Sequence, residues 1–278
     1  MDAEWIAFTA GLKPAIRRTA DPADLDRVEA QLRATGAAVL RAAQTALIGA
    51  REQGVLYVAH TAAHAAALRG AEEGVLPGRG GAGDPRGSHR EVGRLLGFPT
   101  CCVEAFLVRL DRGVDRLPGG GPTGLAEDYV AARGAWVPAA DARVNPLLMA
   151  AHAQLVSFYP CRYDCPAAVG VAEAVRAALA ARQPKTAASL LALLSRPVAI
   201  APDGARALVA LDAAGDAVER AAAPRRSDGG SDPRDAALAA ALPGARRAAD
   251  GALDLAGTVL PVWCVDFGPR APGVVGLR

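Results

Sequence analysis

Apolar residues recur at three- and four-residue steps through Leu25, Val28 and Leu32, just after Asp21-Pro22. An Asp cap followed by proline opens a helix, and the spacing carries it to about Ala34. Val55-Leu56-Tyr57-Val58 is a short apolar run rich in β-branched and aromatic residues, as strands are, and Thr61 caps a helix from there to about Glu73. Trp5 to Leu12 reads as a strand ended by Lys13-Pro14. Ala37 to Ala50 is open between helix and strand, because its alanines suit one and Val39, Leu40 and Leu47-Ile48 the other. This first stretch predicts a small mixed sheet with helices on one face.

From Ser88 to Ser195 the pattern turns helical. Ser88 is expected to cap 89–96, and Thr100 to cap a helix from Cys101 to about Arg112. Further helices are expected over 125–135 and 146–157, from Cys165-Pro166 to about Arg182, and over 186–195. Pro118-Gly119-Gly120-Gly121-Pro122 marks a turn between the second and third of these. After residue 196 the character changes again. Val198-Ala199-Ile200, 207–211, 217–221 and 259–265 read as strands, with a helix from about Asp235. The fold class is α+β, in three segments: an N-terminal α+β unit over 1–77, a helical cysteine domain over 88–195, and a β-containing C-terminal part over 196–278.

Composition narrows the function classes. The 278 residues carry a formal net charge of +2, and Lys13 and Lys185 are the only lysines. Arginine is scattered rather than blocked, so no nucleic-acid stripe is predicted. Apolar runs such as Leu190–Leu194 are far too short for a bilayer, and Met1-Asp2-Ala3-Glu4-Trp5 lacks a basic, apolar leader, so no membrane association and a cytoplasmic location are expected. The glycine-rich 78–88 segment has no strand before it and no Gly-Lys-Ser/Thr after it, which argues against a phosphate loop.

The chemistry sits in the cysteines. Four of the five fall in two tight clusters beside aromatic-proline steps: Phe98-Pro99-Thr100-Cys101-Cys102 and Phe158-Tyr159-Pro160-Cys161-Arg162-Tyr163-Asp164-Cys165-Pro166. Thr100 and Cys165-Pro166 both read as helix starts, where unpaired N–H groups and the helix dipole favour thiolates. Four thiolates suffice for a zinc ion or a [4Fe–4S] cluster. Cys-Cys and C-x-x-x-C are atypical of zinc knuckles, whereas iron–sulfur clusters tolerate more varied spacing. A radical-SAM motif would need a third cysteine where Ala168 stands. The reading is thus an iron–sulfur protein, with a redox or reductive role toward a small-molecule substrate or redox partner that the sequence does not name. Structural zinc at Cys101, Cys102, Cys161 and Cys165 and a cofactor-free thiol redox protein are the alternatives, beside the bland one of inert buried thiols.

Around these ligands, His89, His152 and Arg162 are candidates to donate to the thiolates or carry protons. Each histidine has the simpler reading of a helix-surface or satisfied core residue. Glu104 and Asp164 are possible acid–base groups, against the simpler readings of a first-turn acid and a turn residue. Cys264, beside Trp263 in an apolar run, reads as core.

The segment His89 to Cys102, with Leu96-Gly97-Phe98-Pro99-Thr100-Cys101-Cys102 at its end, resembles an uncharacterised prokaryotic family carrying Leu-Gly-Tyr-Pro-x-Cys-Cys and a later Pro-Cys-x-x-x-Cys. Phe98 replaces the usual Tyr. The match covers about 80 residues, from His89 to Pro166, and implies no activity. The paired cysteines are also similar in logic to epoxyqueuosine reductases, whose second pair is C-x-x-C.

Overall fold

In the computed structural model the described residues are 3–43, 45–48, 51–75, 84–111, 140–149, 153–201, 205–224, 230–248, 252–255 and 258–266. The α+β class is found. The chain groups into two compact units, 1–112 and 113–278.

The first unit is built on β4 (Arg51–Ala59), flanked by β1 (Ala15–Ala20) and β2 (Ala38–Arg41), with β3 (Ala46–Ile48) also pairing to it. These ladders are antiparallel, not mixed as the sequence suggested. Strand alternation sends Val55, Tyr57 and Ala59 to one face and Leu56 and Val58 to the other. Both faces are covered, so the expectation of helices on one side only is corrected. α3 (Ala62–Glu73) and α4 (Pro85–Leu95) bring Ala65, Leu68 and Leu95 to the first face. α1 (Ala3–Thr9) and α2 (Leu25–Arg33) bring Phe8 and Leu32 to the second.

α1 replaces the strand expected at 5–12. Seven residues are too few to show a helical period, and Ile6 and Phe8 look strand-like by propensity. Packing decides: Ala3, Ile6, Ala7 and Phe8 are buried, and Phe8 stacks on His60 at 4.1 Å between ring centroids. Thr61 caps α3 as expected, accepting from the His64 N–H. α4 starts before Ser88, because Asp84 accepts from the Arg86 N–H and Pro85 takes the first helical position. α5 (Thr100–Asp111) completes this unit.

In the second unit α6 (Pro166–Arg182) and α7 (Pro184–Leu194) lead into an antiparallel sheet. Its order is β7-β6-β5-β10-β9-β8. The strands are β5 (Val198–Ile200), β6 (Arg206–Leu211), β7 (Val218–Ala222), β8 (Arg246–Arg247), β9 (Ala252–Leu255) and β10 (Thr258–Val265). β8 and β9 escaped the sequence reading. α8 (Pro233–Ala241), capped by Asp232, packs Ala239 against Val209, Val218, Leu253 and Cys264.

The helix expected at 146–157 is absent from its described residues. Only a 3-10 turn at Ala142–Val144 precedes an irregular run. That run is nonetheless buried at Leu147, Leu148, Leu155, Val156 and Phe158. Buried backbone must find partners. The Asn145 amide donates to the Leu194 carbonyl at 2.8 Å and its carbonyl accepts from the Leu147 N–H at 2.9 Å, while Arg206 donates to the Leu147 carbonyl at 3.0 Å. The segments 118–122 and 125–135 lie outside the described residues. Among the described residues no helix is long and apolar enough to cross a membrane.

Candidate metal centre

The first cysteine pair is placed by the end of α4. Gly97, at φ +73°, closes that helix: its N–H donates to the Arg94 carbonyl and the Phe98 N–H to the Gly93 carbonyl, at 3.1 and 2.8 Å. This paired pattern needs a left-handed residue, hence glycine. Pro99 follows, and its carbonyl accepts from the N–H groups of Cys102 and Val103 at 2.9 and 3.1 Å. Pro99 therefore takes the cap position expected of Thr100, and Cys101 and Cys102 lie in the first turn of α5 as expected.

α4 and α5 are locked together. Val103 packs where a side chain on Gly93 would stand. The Arg90 guanidinium grips Glu104 through two bonds, at 2.6 and 3.0 Å, and Arg86 pairs with Asp111. Arg90 holds the Glu104 carboxyl below the usual carboxylate range, so this group is an ion-pair partner at neutral pH. The His89 ring meets Phe106 edge-on at 5.3 Å between centroids.

The second pair comes from the irregular run. Tyr163 is fully buried and its carbonyl accepts from the Asp141 N–H at 2.8 Å. The Cys165 N–H donates to the Arg162 carbonyl at 3.1 Å, closing a tight turn that ends at the N-cap of α6. Pro166 at the first helical position lacks the N–H that a helix start leaves unbonded. Arg143 ties this region down by pairing with both Asp141 and Glu173, at 2.6 and 3.1 Å, and Arg176 pairs with Glu173 at 2.5 Å. The two guanidiniums hold Glu173 at a pKa of about 2. Arg162 pairs with Asp164 at 2.9 Å, both on the exposed side of the turn.

The four sulfurs of Cys101, Cys102, Cys161 and Cys165 lie within 4.8 Å of one another. Those of Cys101 and Cys102 are 3.9 Å apart. Cys102 and Cys165 are buried, Cys161 is half-buried and Cys101 is exposed. Four soft donors in this space are able to hold a metal ion. Cys264 is elsewhere: it pairs with Ala199 in the sheet and belongs to the apolar cluster under α8. Burial pushes its thiol up to about 12. His152 lies outside the described residues, and His89 and Arg162 stand against Phe106 and Asp164. No protein-family model, curated protein or solved structure matches the chain.

Proposed function

We propose that the protein binds one metal ion, zinc, through the thiolates of Cys101, Cys102, Cys161 and Cys165, and that the ion serves as a structural cross-link. One observation carries this reading, the 4.8 Å limit on every sulfur–sulfur distance. Zinc–sulfur bonds of about 2.3 Å in a tetrahedron put the sulfurs about 3.8 Å apart, which nearly coincides with the Cys101–Cys102 separation of 3.9 Å. A [4Fe–4S] cubane holds its cysteine sulfurs roughly 6–7 Å apart, so the same four residues would have to spread to take it. Four protein ligands close the coordination sphere, as in structural zinc sites, and leave no open position for a substrate. What the metal supplies is then a bond between chain segments 59 positions apart (161 − 102).

A second reading rests on the spacing. Cys-Cys with C-x-x-x-C is unlike the zinc knuckles and within the range of iron–sulfur ligation. In that case the function is electron transfer to a small substrate or redox partner. Anaerobic purification with zinc, iron and sulfide analysis separates the two. One zinc per colourless chain supports the first reading. Four irons and four sulfides in a brown chain replace it with the second. A folded, reduced chain that takes up neither ion overturns both and leaves a cofactor-free thiol protein.

A further inference from the structure

We infer that the centre is an oxidation site: a hydroperoxide oxidises Cys101 first, Cys161 resolves the product as a disulfide, and the metal leaves. The inference rests on metal binding by these four cysteines and adds a regulated chemistry to it. Three features of the site carry it. The ligands are graded in exposure, with Cys101 open to solvent, Cys161 intermediate, and Cys102 and Cys165 each 2 % exposed. Oxidation follows thiolate character and access, and a metal keeps all four sulfurs as thiolates, so access is what distinguishes them.

The second observation is mutual reach. Every sulfur lies within 4.8 Å of every other, so a sulfenic acid on Cys101 has a second sulfur at hand. A disulfide needs about 2.05 Å between sulfurs, which asks one partner to move by at most about 2.7 Å.

The third observation is backbone context, which selects the partner. Cys102 adjoins Cys101 in the first turn of α5, where neighbouring side chains project about 100° apart. Joining them would unwind the turn that Pro99 anchors through the Cys102 and Val103 N–H groups. Cys165 is buried at the N-cap position of α6. Cys161 is half-buried in irregular chain, with the least regular structure to disturb.

The chemistry balances with hydrogen peroxide as oxidant. The Cys101 thiolate attacks one peroxide oxygen, an S–O bond forms, the O–O bond breaks, and the hydroxide released takes a proton to become water. The Cys161 thiolate then attacks the Cys101 sulfur, an S–S bond replaces the S–O bond, and a second hydroxide is protonated. Two thiolates, one peroxide and two protons become one disulfide and two waters. Two electrons pass from sulfur to oxygen, and a divalent ion left with two thiolate ligands is released.

The test uses the full chain, loaded with zinc and titrated with up to one equivalent of hydrogen peroxide. A chromogenic chelator reads released zinc, and mass spectrometry with fragmentation locates the oxidised sulfurs. The expected result is one zinc lost per Cys101–Cys161 disulfide, with Cys264 unmodified. Zinc content before peroxide is added reports separately on the metal reading. The same mapping on the reduced, metal-free chain reports on the order of oxidation even where that reading fails. A first adduct on Cys102 or Cys165, a Cys101–Cys102 disulfide, or zinc retained after Cys101 is oxidised would each overturn the inference. A Cys161→Ser chain should accumulate sulfenic or sulfinic acid at Cys101 in place of the disulfide. A disulfide forming there at the wild-type rate also counts against it.

Discussion

β10 around Cys264 and the chain around Cys102 and Cys165 present cysteines of the same exposure, 2 % in each case, in opposite chemical settings. Cys264 sits in a strand whose backbone is paired on both sides, among Ala199, Val209, Leu253 and Val262. Burial there holds it as a neutral thiol, a small apolar filler. Cys102 and Cys165 are as deeply covered, but each stands at a helix start with three other sulfurs within 4.8 Å. Equal burial therefore goes with different surroundings, an apolar sheet for Cys264 and neighbouring sulfurs for Cys102 and Cys165.

The sharpest way to break this contrast is to exchange ligands for non-ligands. Cys102→Ser or Cys165→Ser should abolish tight metal binding, whereas Cys264→Ala should leave one metal per chain, both read by metal analysis after gel filtration. A metal joining the two pairs would close a loop of 59 positions, so its removal should cost about 4 kcal/mol of stability by the loop-entropy argument, measured by denaturant unfolding with and without chelator.

Next in size is the support of the second pair. Asn145→Ala strands a buried N–H and a buried carbonyl, and should destabilise by about 2–3 kcal/mol. If the irregular run also sets the positions of Cys161 and Cys165, chelator competition will show faster metal loss in this variant. Unchanged metal retention would mean that the run is stabilised without being a support of the site. Cys264→Ala should cost about 1–2 kcal/mol, from the small void left under α8.

The smallest effect concerns acid. Glu173 has a folded pKa of about 2, below the ordinary 4.5, so its ion pairs stabilise the fold above pH 4.5 and lose that contribution as pH falls toward 2. All three side chains are about a third or more exposed, which limits the gain to about 1 kcal/mol or less. Glu173→Gln should lower stability at pH 6 by that amount and converge with the parent near pH 2, in urea titrations at each pH.

Local signals were legible in the sequence where they act locally. Thr61 and Cys165-Pro166 mark helix starts because caps and prolines act within one turn, and the two cysteine clusters were legible as one site because their residue types are scarce and specific. What escaped depends on distant partners. The strand expected at Trp5–Leu12 is a helix because Phe8 packs on the sheet and on His60. The helix expected at 146–157 gives way to irregular chain in which the Asn145 side chain accepts from the Leu147 N–H and Arg206 donates to the Leu147 carbonyl. The two-sided cover of β4 was hidden for a similar reason. Its run Val55-Leu56-Tyr57-Val58-Ala59 is apolar throughout and shows no alternation to assign faces.

The distance along the chain between the two cysteine clusters also has a meaning in time. At about 5–20 residues per second, a ribosome needs roughly 3–12 s to pass from Cys102 to Cys161, the 59 positions between them. For those seconds the nascent chain carries two adjacent thiols, half of the four-cysteine cluster. The helix turn that Gly97 and Pro99 define uses only nearby residues and is free to form at once, but a four-thiolate site has to wait for the second pair. A ribosome that stalls in between leaves a product with the first cysteine pair and none of the second.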